Sequence, residues 1–147
     1  MGNRLDAPRD APDRSSFALA RFRSNGRLDP TFGRRGKQWT AFGRYAAASA
    51  LAIQPNGKII LGGWSSGCPC QPRPSFEGFT MARYKRDGRI DRTFGRQGVV
   101  KTSIEAGSGI SELAIQPDGK VVAAGGACGD DFECTVSKFA LVRYLLK

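Results

Sequence analysis

A single spacing governs this chain. LAIQPNGKII occupies Leu51–Ile60 and LAIQPDGKVV occupies Leu113–Val122, an offset of 62 residues. FALARF from Phe17 returns as FTMARY from Phe79, and NGRLDPTFGRRG from Asn25 returns as DGRIDRTFGRQG from Asp87. A further FALVRY begins at Phe139, 60 residues after Phe79. Segments recurring in one order with one spacing mark stacked supersecondary units.

Each unit reads as strands. In SALAIQ, Ala50, Ala52 and Gln54 alternate with Leu51 and Ile53, and a period of two means an extended chain. Pro55 presets φ at the first corner of a type I turn, Asn56 suits the second, and Gly57 takes the left-handed conformation that closes the hairpin. Pro117, Asp118 and Gly119 fill the same places. KIILGGW is then a returning strand. FTMARYK alternates Phe79, Met81 and Arg83 against Thr80, Ala82 and Tyr84 and ends in a second turn signal, RDG. Asp91 is placed to accept a hydrogen bond near Thr93 and hold the loop before VVKTSI. Ala-rich RYAAASALAI favours helix by propensity. Its counterpart AGSGISELAI does not, so both are expected to be loop followed by strand.

The expected fold is all-β: repeated four-stranded antiparallel units resembling β-propeller blades, incomplete, with about two units present. A sandwich of hairpins is the rival. Residues 1–16 are expected to be a disordered polar leader. Residues 17–147 form the β-repeat domain, divided into a partial unit 17–44, a full unit 45–106 and a partial unit 107–147. FALARF, NGRLDPTFGRRGK and LAIQPNGKIILGG, with their second copies, resemble the delta-60 repeat of large bacterial proteins. The resemblance spans most of residues 17–144. It implies a propeller-like β-architecture and no activity, so no functional residue is carried over from it. Closed propellers take at least about four blades. The chain is therefore expected to be a piece of a longer protein or a protomer that closes by association.

Composition narrows the function. The chain carries 23 Lys and Arg against 13 Asp and Glu, a net charge of +10. The cations are scattered and form no block, which favours a solvated surface over a nucleic-acid site. The longest apolar run, AAASALAI, is too short to span a membrane, and the N-terminus lacks the apolar core of a signal peptide. There is no His, which removes Ser-His-Asp and Cys-His chemistry. No Gly-Lys-Ser/Thr phosphate loop is present.

Candidate sites remain. Cys128 and Cys134 are a candidate disulfide at the base of their hairpin, whereas Cys68 and Cys70 flank Pro69 too closely for an unstrained bridge. A four-Cys zinc site is the alternative, but one and five intervening residues are not its usual spacing. A disulfide would imply an oxidising compartment, extracellular or at the cell surface if the chain belongs to an exported protein. Arg21, Arg83 and Arg143 recur at one strand position. They are either an anion-binding ladder or structural ion pairs, Arg21 with Asp29 and Arg83 with Asp91. Recurrence favours the structural role. Trp39, Trp64 and Phe76 are unrepeated aromatics, candidates for stacking on a ligand or for local packing. Asp130, Asp131 and Glu133 lack the order of a calcium loop.

The expected role is a non-enzymatic scaffold or interaction module of a larger bacterial protein, with no cofactor. Its expected partners are neighbouring repeats or further copies of itself. The alternatives are an oligomeric carbohydrate- or polyanion-binding propeller and a fragment of a propeller-type hydrolase.

Overall fold

The computed structural model describes residues 15–42, 45–66, 76–105, 107–128 and 137–145, with backbone alone at 76, 77 and 137. Among the described residues nine strands run in order: β1 (Ser16–Ala20), β2 (Lys37–Ala41), β3 (Tyr45–Ile53), β4 (Ile59–Ser66), β5 (Phe76–Tyr84), β6 (Val99–Thr102), β7 (Gly109–Ile115), β8 (Val121–Cys128) and β9 (Ser137–Tyr144). They form three antiparallel sheets, β1-β2, β3-β4-β5-β6 and β7-β8-β9, each in chain order. The fold is all-β, built from blade-like meanders of which the middle one alone has four described strands. No helix among the described residues is long and apolar enough to cross a membrane.

One turn is used four times. In Gln54–Lys58 the Gly57 amide donates to the Gln54 carbonyl at 2.8 Å, and the Gln54 amide donates to the Lys58 carbonyl at 2.8 Å. The Asn56 side chain accepts from the Lys58 amide at 3.0 Å. Asp118, Asp87 and Asn25 repeat that bond in their own turns. Gly57 and Gly119 take φ of 79° and 81°, which a side chain would strain.

The Ala-rich stretch departs from expectation, being strand from Tyr45 rather than loop then strand. Tyr45–Ala48 pair with Gly63–Ser66, and a bulge between Ala48 and Ala50 resets the register. A bulge also interrupts the β7–β8 pairing, between Ile110 and Glu112. Opposite these bulges the backbone closes in. A Cβ on Gly63 would strike the Ala47 carbonyl, and one on Gly125 the Gly109 carbonyl. Ladder hydrogen bonds and packing against neighbours override the helix propensity of alanine.

The sheets pack face to face because alternation gives each strand two apolar sides. Phe17, Leu19, Phe32 and Phe42 meet Leu61, Ala82 and Tyr84 between the first and second sheets. Ile60, Phe79, Met81 and Phe94 meet Ile110, Val121 and Ala123 between the second and third. Phe79 and Met81 thus point forward along the chain, and Ala82 and Tyr84 point back. Each fully buried side chain of this size contributes about 1.5–3 kcal/mol.

Candidate functional site

The recurring arginines sit at the end of the third strand of each unit. Arg83 lies on β5, where alternation turns it to the same side as Met81. Its Nε donates to Asp91 Oδ2 at 2.9 Å, and its guanidinium lies 4.7 Å from the Phe94 ring centroid. Asp91 Oδ1 accepts from the Thr93 hydroxyl at 2.7 Å. Lys58 Nζ reaches Asp91 Oδ2 at 2.9 Å from the β3–β4 turn. Burial opposes ionisation of Asp91, but the Lys58 and Thr93 bonds and the Arg83 charge override it and hold the carboxyl well below its usual range.

The same node occurs one unit earlier. Arg21 Nε donates to Asp29 Oδ2 at 2.9 Å, Thr31 donates to Asp29 Oδ1 at 2.7 Å, and the guanidinium lies 4.8 Å from the Phe32 centroid. Here the Thr31 hydroxyl and amide lower the Asp29 pKa, burial opposes them, and Arg21 adds to the lowering. Arg21 also donates from Nη1 to the Arg86 carbonyl at 2.7 Å, and the Gly33 amide donates to the Asp87 carbonyl at 2.7 Å. The loop of one unit is thereby tied to the turn of the next. In the third unit Arg143 is exposed. Asp118, whose pKa is lowered chiefly by its bonds to Lys120 of its own turn, also feels the Arg143 charge.

Two features escaped the sequence reading. Tyr84 donates its hydroxyl to Thr40 Oγ1 at 2.9 Å, and Tyr144 to Thr102 Oγ1 at 2.8 Å. Each bond joins the third strand of one unit to the fourth strand of the unit before. Burial pushes the Tyr84 phenol up to about 12, against a small lowering by the Thr40 bond. Tyr144 shifts the same way for the same reason. The second feature is Lys58. Tyr84 with Tyr144, Thr40 with Thr102, and Lys58 with Lys120 all recur near the period. Recurrence of polar residues was the available signal.

Cys68, Cys70, Cys134, Asp130, Asp131 and Glu133 lie outside the described residues, as does the Phe76 side chain, so the disulfide, zinc and calcium expectations fall there. Cys128 ends β8, and a Cβ on Gly107 would stand 3.0 Å from its own. Among the described residues no three metal-ligating side chains come together. Trp39 borders a cleft of about 450 Å³ with Ile90, Arg92 and Gln97. Trp64 borders one of about 260 Å³ with Gly109, Ser111 and Cys128. The two tryptophans do not share a site.

A family model described as a domain of unknown function (DUF5122) beta-propeller matches residues 13–32 and 54–69. The first segment carries β1, its turn and Asp29, and the second carries the β3–β4 turn and β4. No curated protein matches the chain.

Proposed function

We propose that this chain is a non-enzymatic repeat scaffold, an interaction module of a larger bacterial protein or assembly, built from repeats of the delta-60 kind. The observation that carries this reading is how the recurring polar residues are used. Arg83, Thr93 and Lys58 bond to or around Asp91 within one unit, and Tyr84 bonds Thr40 of the unit before. A group held by bonds within its own fold is poorly placed to act on a substrate. Arg83→Leu is the direct test, expected to destabilise the fold. A folded Arg83→Leu protein that had lost affinity for a polyanion would instead make the arginine a binding residue.

One observation favours a second reading, a polyanion-binding surface. Arg21 and the Gly33 loop of the first unit are tied to the turn of the second, which brings exposed Arg86 and Arg89 to the unit that carries exposed Arg23 and Arg27. A titration of salt against binding to a sulfated polysaccharide separates the two readings, because affinity from phosphate-like or sulfate contacts falls steeply with ionic strength. The scaffold reading expects no binding at physiological salt.

A further inference from the structure

Among the described residues the two outer sheets of the stack lack different strands, in complementary ways. At one end β1 pairs with β2 alone, and no described strand occupies the edge where β5 has β4. Leu51 and Ile53 on β3 are consequently 52% and 63% exposed, whereas their repeats Leu113 and Ile115 pack into the apolar core between the second and third sheets. At the other end β9 has no described strand on the edge where β5 has β6. Phe139 is fully exposed and Leu141 is 72% exposed, although their repeats Phe79 and Met81 are completely buried. What one end lacks, the other end has.

From this complementarity we propose that two copies of the chain combine their end units into one complete blade: β7, β8 and β9 from one copy, and the 23–36 loop with β2 from the next. The inference rests on the scaffold reading and names its partner, a second copy of the chain. β9 takes the place of β1, which it repeats in sequence. The β5–β6 register, in which Phe79 faces Thr102 and Met81 faces Val100, transfers directly. Phe139 then faces Thr40 of the second copy, and Leu141 faces its Gln38.

The polar groups transfer as well. Arg143 and Lys120 repeat Arg83 and Lys58, the two cations that grip Asp91, and in the combined blade Asp29 of the second copy exchanges its bond to Arg21 for both. β8 of the first copy covers Ile53 and Leu51 of the second. Packing at that junction is compensated. Inside one chain Gly62 meets Ile110, and a Cβ on Gly62 would stand 3.0 Å from Ile110 Cγ2. At the corresponding places the new junction sets Ala124 against Ala48, a methyl gained on one side and a larger side chain given up on the other. Phe22 stands where Tyr84 and Tyr144 stand, so the strand that β9 displaces carries no phenol in need of a threonine.

Joined head to tail, each copy contributes its middle unit and one shared unit. Such heterologous contacts close into rings when the rotation allows. Two to four copies give four to eight blades, the span of closed propellers.

Sedimentation of the purified full chain, of Ile53→Asp and of Leu141→Asp tests this. The unaltered chain is expected to form a discrete oligomer. Each variant is expected to be a folded monomer by circular dichroism, with association weakened at least about 30-fold, as for loss of an interface hot spot. A mixture of the two variants retains one sound junction and is expected to form a heterodimer. A monomeric unaltered chain overturns the proposal, as does self-association that survives either substitution, an unfolded variant, or a mixture that stays monomeric. Stacking of intact end units without strand exchange would leave Ile53 uncovered, so Ile53→Asp would then have no effect. An oligomer that bound sulfated polysaccharide would sink the scaffold reading and spare this one. A monomer that bound nothing would do the reverse.

Discussion

Arg21 and Arg83 each donate from Nε to an aspartate at 2.9 Å and lie over a phenylalanine ring, yet they occupy different physical environments. Arg83 and Asp91 have side-chain exposures of 3% and 2%, against 38% and 16% for Arg21 and Asp29. The difference comes from the neighbours. Arg83 has β4 beside it, Lys58 reaching over its partner, and the third sheet in front. Arg21 has none of the first two among the described residues. The repeat therefore writes a geometry, while the number of adjoining units sets what that geometry is worth.

The largest expected effect breaks the comparison outright. Asp91→Ala strands two cations, one of them buried, and should cost about 3–5 kcal/mol in urea unfolding. Asp29→Ala, at a more solvated pair, should lower the midpoint by clearly less. Equal losses at the two sites would refute the account. The pH dependence follows the same division. A depressed carboxyl stabilises the fold above its unfolded pKa of about 4 and loses that contribution as pH falls through its folded value. Acid should therefore release the Asp91 node at a lower pH than it would an ordinary carboxylate, and Asp91→Ala should flatten this limb of the stability curve.

Next in size are the turn glycines. Gly26 and Gly88 hold one turn position at φ of 76° and 83°, so alanine strains either by about 1–2 kcal/mol. Only Gly88 has a neighbour pressed on it, since its Cβ would stand 2.9 Å from the Phe32 ring. Gly88→Ala should cost about 1–3 kcal/mol more than Gly26→Ala, the usual price of overpacking. Thermal unfolding of the pair measures the packing contribution alone.

The smallest effect concerns the bond between units. Tyr84→Phe should lose about 0.5–1.5 kcal/mol, the net worth of one hydrogen bond. It should also change the alkaline limb. The raised phenol contributes stability that is complete below its unfolded pKa of about 10 and lost as pH rises towards its folded value of about 12. Unfolding followed between those limits should be less pH-dependent in Tyr84→Phe than in the unaltered chain.

Strands, turns and loops were legible in the sequence because their causes are local. Gly57 and Gly119 announce a left-handed corner, Asp91 announces a bond two residues on, and FTMARYK alternates as a strand must. The start of β3 was not legible. Alanines at 46–48 carry no strand signal, and only pairing with Gly63–Ser66 makes them extended. The Tyr84–Thr40 bond was hidden for a related reason, since its partners lie 44 residues apart on different sheets.

From the sequence alone come the repeat, its strands and turns, and the pairing of Arg with Asp inside a unit, because each depends on residues close along the chain or related by a period. Which of two identical motifs is buried was decided by tertiary structure. Leu113 is covered and Leu51 is not, although both begin the same pentapeptide, LAIQP. Burial belongs to the surface that a neighbouring unit presents, and no residue encodes its neighbour's presence.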